Sequence, residues 1–118
     1  MGKFLTSFKF AWNGVLFLFR SQRNAKVQLG VAVLVCAAGF LFGISQLEWV
    51  AVLLCIALVL AAEGINTAIE SLADALHPEE HPLVGRAKDA AAGAVLLCAI
   101  GAAVVALIVF LPYLNIRL

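Results

Sequence analysis

The 118-residue chain is 64% hydrophobic and 13% charged, with eight Lys and Arg against seven Asp and Glu. Soluble domains carry about 25% charged residues, so this composition lies outside their range and points to a membrane. The length allows one domain, residues 1–118, and the near-neutral balance of +1 implies no nucleic-acid partner.

In chain order, Phe4, Phe8, Trp12, Val15, Leu16 and Phe19 recur at three-and-four spacing, with Lys3, Thr6, Lys9, Asn13 and Arg20 largely elsewhere around the wheel. This predicts an amphipathic surface helix over residues 3–20, lying in the bilayer interface; the bland alternative is a partly disordered arm. Charge interleaved with aromatics is unlike the apolar core of a signal peptide, so no cleaved segment is expected.

Val27 to Leu47 is the first apolar run long enough to cross a bilayer, which takes about 20 residues. Ahead of it lie five cations, Lys3, Lys9, Arg20, Arg23 and Lys26, and no anion, whereas the Ser45-Gln46-Leu47-Glu48 connection has neither Lys nor Arg. The positive-inside rule then places the N-terminus in the cytoplasm. A second helix is expected over residues 49–76, apolar from Trp49 to Ala62 and polar beyond. Pro78 and Pro82 should break it and keep the next loop short. His77 and His81 are four apart, but Pro78 between them disfavours one helix carrying both, so the segment reads as a solvated loop rather than a metal pair. A third span follows over residues 88–114, with Pro112 in its last turns; the C-terminus would lie outside, Arg117 being a mild exception to the charge rule. Cys36, Cys55 and Cys98 sit inside apolar runs without a CxxC partner and behave as small hydrophobes.

Glu63, Asn66, Glu70 and Asp74 are spaced by three, four and four. At about 100° per residue they fall within roughly an 80° sector and form a stripe about 16 Å long. An acidic side chain at the centre of a membrane helix costs roughly 2.5 to 3.5 kcal/mol, so such a stripe needs a partner or a wet site and marks function by default. Lys88 and Asp89 open the third span at the same face, so a cation, three carboxylates and an amide are expected to converge at one depth. Phosphoryl transfer uses such an inventory: carboxylates for a divalent metal, a Lys for phosphate charge, a base beside the acceptor hydroxyl. Spacing alone fits proton-coupled transport nearly as well, and a structural polar seam remains a further reading. Neither a GxxxxGK[ST] loop nor a GxGxxG with a catalytic-loop Asp is present. Small residues, among them Ala61, Ala62, Gly64 and Ala68, then Ala87 and Ala90 to Ala94, suit close helix packing and association.

Glu63-Gly64-Ile65-Asn66-Thr67-Ala68-Ile69-Glu70, then Asp74, then Gly85-Arg86-Ala87-Lys88-Asp89-Ala90-Ala91-Ala92-Gly93, resembles the prokaryotic diacylglycerol kinase and undecaprenol kinase family, and the resemblance runs from about Phe8 to Leu114. It implies an all-α integral membrane protein of the bacterial plasma membrane: a surface helix and three transmembrane helices, assembled as a homotrimeric bundle with active sites shared between protomers. It implies transfer of phosphate from ATP, with Mg2+, to the hydroxyl of a membrane lipid, undecaprenol or diacylglycerol. By the family pattern Glu63 is the catalytic base and Glu70 a metal ligand, while Asn66, Asp74, Lys88 and Asp89 line the nucleotide and phosphate site. One departure stands out: where the family has Glu as a metal ligand, this chain has Gln22 in Arg20-Ser21-Gln22-Arg23-Asn24. Gln22 keeps an oxygen ligand but loses the charge, which predicts weaker metal binding or compensation by another carboxylate. Glu48-Trp49, the Ala90 to Val95 stretch and Val109-Phe110-Leu111-Pro112 are more similar to the undecaprenol branch. Two rivals follow: a small proton-coupled transporter, which usually has four spans, and a catalytically weak lipid-binding homologue.

Overall fold

The structure, a computed structural model, describes residues 1–115 and so leaves Arg117 outside the described residues. It contains four helices: α1 (Gly2–Ser21), α2 (Arg23–Phe42), α3 (Gln46–Leu76) and α4 (Pro82–Asn115). α2, α3 and α4 are each long and apolar enough to cross a membrane. The expected all-α architecture, one surface helix and three spans, is therefore the one found.

A single residue separates α1 from α2. Gln22 has φ −107° and ψ 116°, an extended conformation that closes one helix and opens the next. α2 consequently begins at Arg23, four residues ahead of the apolar run, because polar residues continue a helix outside the hydrocarbon as readily as within it.

The first span does not run to Leu47, as hydropathy suggested, but ends at Phe42. Gly43 takes the left-handed conformation, φ 62° and ψ 49°, that terminates helices at low cost only for glycine. Ile44 N–H donates back to Gly39 O at 3.1 Å. Ser45 then starts α3 with a capping box: its hydroxyl accepts from Glu48 N–H at 3.2 Å, and Glu48 Oε1 accepts from Ser45 N–H at 2.9 Å. At the other end α3 stops at Leu76, and five residues, 77–81, lead into α4. Pro82 was expected to help break α3. It is instead the first residue of α4, where its missing N–H is one the helix would leave unused.

The packed core lies at the α2–α3 turn. Ile44, Val52 and Val109 are buried there, with Phe42, Trp49, Phe110 and Tyr113 against them. Trp49 lies on Gly39 so closely that a Cβ at Gly39 would meet its ring at 2.8 Å. Phe40 stacks tilted on Trp49 with centroids 4.8 Å apart, and Phe42 meets Phe110 and Tyr113 at 6.1 and 5.9 Å. Tyr113 O–H donates to Glu48 Oε1, tying the end of α4 to the cap of α3. Along the rest of α4, which packs on α3 mainly through partly buried residues, Ala91 is the further buried residue among those described.

Candidate functional site

The polar stripe occupies the half of α3 away from this core, and it is graded. Glu63 is 3% exposed and Asn66 9%, Glu70 is half-buried, and Asp74 is exposed. Thr67, on the same half of the helix, is buried too, and its hydroxyl donates to Glu63 O at 2.9 Å, so it satisfies itself on its own helix. Asn66 Nδ2 donates to Glu70 Oε1 at 3.1 Å, one turn along. That bond fixes the amide: Nδ2 faces Glu70, and Asn66 Oδ1 is left buried without a partner. Glu70 lies between Glu63 and Asp74 along the stripe.

Lys88 crosses to the exposed end of the stripe. Its Nζ donates to Asp74 Oδ1 at 2.8 Å, joining α4 to α3 over the 77–81 turn. The expectation that all the carboxylates meet the cation at one depth is corrected here. Eleven residues of helix between Glu63 and Asp74 rise about 16 Å, so within one protomer Asp74 alone bonds to Lys88 and Glu63 lies far deeper. Asp89 is exposed on the next turn position of α4. Gln22, at the α1–α2 break, is half-buried and its amide donates to Ser21 Oγ at 3.4 Å.

A polar cleft of about 520 Å3 opens beside the ion pair, lined by Asp74, His77, Glu79, Glu80, His81 and Lys88. His77 and His81 meet edge to face with centroids 5.0 Å apart. Their Nδ1 atoms are occupied, His77 with Glu79 O at 2.8 Å and His81 by accepting from Leu83 N–H at 3.1 Å, which caps α4. The loop reading stands, and among the described residues no three His, Cys, Asp or Glu side chains converge on one point. A second, apolar groove of about 540 Å3 runs between α1 and α3, lined by Gly14, Val15, Leu18, Leu60, Gly64 and Ala68. Thr67 also lines it, whereas Glu63, Asn66, Glu70 and Asp74 do not.

The donor set suits a hard divalent cation. Magnesium binds through one or two carboxylates plus phosphates and keeps several waters; Glu70 offers a carboxylate, and Asn66 an unpartnered amide oxygen on the far side of its amide from Glu70.

Three helices long and apolar enough to span a membrane, with carboxylates and an amide along one half of α3 and a lysine at the start of α4, define an integral membrane protein with a polar site toward one end of its spans. Residues 9–110 match the family described as prokaryotic diacylglycerol kinase, and the chain belongs to that family of membrane lipid kinases. It is 38% identical to the undecaprenol kinase of Bacillus subtilis (strain 168) over 114 residues, 97% of this chain and 93% of that one. To the diacylglycerol kinase of Synechocystis sp. it is 40% identical over 109 residues, 92% of this chain and 62% of the longer relative. To that of Haemophilus influenzae it is 28% identical over 99 residues, 82% and 84% of the two chains. A kinase of this family takes its phosphate from ATP.

Proposed function

We propose that the chain phosphorylates the terminal hydroxyl of undecaprenol at the cytoplasmic face of the bacterial plasma membrane, using ATP and Mg2+. The single observation behind the kinase chemistry is the stripe itself: an acid sunk to 3% exposure at one end and an ion-paired lysine at the other, with an amide-carboxylate pair between. Undecaprenol rather than diacylglycerol is favoured by the likeness to the Bacillus enzyme, which extends over 93% of that relative.

In this reading the lipid enters by the groove between α1 and α3, and its hydroxyl reaches Glu63. Glu63 takes the hydroxyl proton as the lipid oxygen attacks the γ-phosphorus of ATP, and the bond from that phosphorus to the bridging oxygen of ADP breaks. Lys88 offsets charge on the phosphate oxygens, with Asn66, Asp74 and Asp89 lining the rest of the nucleotide site. Asn66 also holds Glu70 in place through the 3.1 Å bond. Glu70 and Gln22 would hold Mg2+, which supplies neutralisation of the triphosphate.

Because Glu63 and Lys88 stand so far apart within one chain, a complete site draws on more than one copy, and a homotrimer with shared sites meets that need. The N-terminus lies in the cytoplasm, consistent with five cations before the first span. The test supplies the purified protein with Mg2+ and γ-labelled ATP in micelles containing undecaprenol or diacylglycerol. Label should pass to undecaprenol at the higher kcat/KM. Preferential labelling of diacylglycerol reverses the acceptor, and no labelling of either lipid overturns the reading.

A further inference from the structure

The charges of this chain are segregated along its length. Up to Leu47 it carries Lys3, Lys9, Arg20, Arg23 and Lys26 and no acidic side chain; all seven Asp and Glu come later, where Arg86 and Lys88 are the cations of the described residues. Attraction between halves of opposite sign would be expected to pair them, yet it does not. Among the described residues the one Lys or Arg paired with a carboxylate is Lys88, with Asp74, and both lie within the acidic half. The five N-terminal cations are all exposed. Their counter-charge must come from outside the protomer.

The surface that carries them indicates what supplies it. α1 has no buried residue, and Phe4, Phe8, Phe10, Trp12 and Phe17 stand between 54% and 72% exposed along it. Lys9 and Arg20, eleven residues apart, lie about 20° apart around the helix and about 16 Å apart along it. Arg23 and Lys26 follow at once across Gln22, on the opening turn of α2, and neither helix has an acidic residue in its first turn to offset them. Bare aromatic rings beside an unpaired row of cations suit neither water nor hydrocarbon. They suit the headgroup layer, and the charge selects among headgroups.

We propose that α1 and the first turn of α2 form a docking surface for anionic phospholipid headgroups, gathered by Lys3, Lys9, Arg20, Arg23 and Lys26 alongside the groove between α1 and α3. An anionic leaflet attracts basic residues near its surface by about 1 kcal/mol each, whereas a zwitterionic one leaves them without net attraction. The enrichment concerns bulk membrane lipid, so it is separate from the choice of acceptor. Its place is beside the entrance through which the acceptor would pass, and the anions it collects are kept off the acidic stripe by like charge.

Trp12 sits on this surface, and Trp49 is the other tryptophan of the chain. In a Trp49→Phe background Trp12 therefore reports the local lipid. The full-length protein is reconstituted in bilayers of phosphatidylcholine and phosphatidylglycerol at one fixed ratio, with brominated chains on one lipid or the other, and Trp12 quenching is compared. Brominated phosphatidylglycerol should quench as if enriched about two- to fivefold around Trp12 at low salt, and the preference should shrink as salt screens the surface. Lys3→Gln, Lys9→Gln, Arg20→Gln, Arg23→Gln and Lys26→Gln combined should abolish the preference, and Lys3→Arg, Lys9→Arg and Lys26→Arg combined should keep it. Equal quenching by the two lipids in the parent overturns the proposal, as does a preference that survives the Gln changes.

Discussion

Lys88 on α4 donates a 2.8 Å hydrogen bond to Asp74 on α3, fourteen residues away across a five-residue turn. Both partners are substantially exposed, Lys88 at 38% and Asp74 at 68% of their side chains, and exposed ion pairs contribute about 0–1 kcal/mol to stability. The pair therefore contributes little to holding the helices together. It keeps an ammonium at the cleft, and on the proposed assignment a triphosphate would compete with Asp74 for it.

Lys88→Gln should cut lipid phosphorylation by about 10²–10³-fold, the usual cost of losing one charged group at a developing phosphate charge. Asp74→Asn should slow the reaction by a smaller factor. If Asp74 works through Lys88, it should add almost nothing in a Lys88→Gln background, and thermal unfolding midpoints should move little in any of the three variants. Full additivity of the two losses would mean that Asp74 touches the nucleotide on its own account.

Glu63→Gln keeps the shape of a side chain that is 3% exposed and removes its basicity. Turnover should fall by at least about 10²–10⁴-fold, while helical content by circular dichroism and assembly by size-exclusion chromatography stay as in the parent. Near-parental labelling of lipid would remove Glu63 from the base role.

Gln22→Glu restores a carboxylate at the α1–α2 break. The Mg2+ concentration for half-maximal rate should drop severalfold, up to about the tenfold that corresponds to 1.4 kcal/mol. An unchanged Mg2+ dependence would argue that residue 22 is not a ligand in this chain.

Gly39→Ala tests the tightest contact of the core, since the new Cβ would stand 2.8 Å from Trp49 Cη2 and 3.1 Å from Ile44 Cδ1. Ring and helix must shift, and overpacking of this kind costs about 1–3 kcal/mol. A clear fall in thermal stability in detergent is expected, with partial recovery when Trp49→Phe is added.

Tyr113→Phe removes the hydroxyl that donates to Glu48 while Glu48 keeps its Ser45 amide. Loss of this hydrogen bond should lower the thermal unfolding midpoint in detergent. Specific activity at low temperature should be unchanged, because the phosphoryl-transfer residues lie at the other end of α3.

Much of this molecule is written in its periodicities. The apolar runs announced three spans, and the three-four-four spacing put Glu63, Asn66, Glu70 and Asp74 on one face. Hydropathy failed where backbone conformation took over: Gly43 and Ser45 cut through an unbroken apolar run, although the Ser45-x-x-Glu48 spacing was there to signal a cap. Pro82 was misassigned because a proline that ends one helix and a proline that begins the next look alike until the turn length is known. Turn length likewise decides which acid meets Lys88, so the Asp74 partnership could not be picked from the stripe in advance. The Tyr113 contact with Glu48 spans 65 residues of chain, and no local pattern encodes it. Thr67 carried no signal at all, its hydroxyl being spent on its own helix.

The brevity of the 77–81 connection sets the working style of the enzyme. Six Cα steps from Leu76 to Pro82 reach about 20 Å at full stretch, so the inner ends of α3 and α4 can never swing wide. On the proposed assignment, ATP would enter and leave beside this tether, with side-chain exchange at Lys88 in place of the closing of a cover.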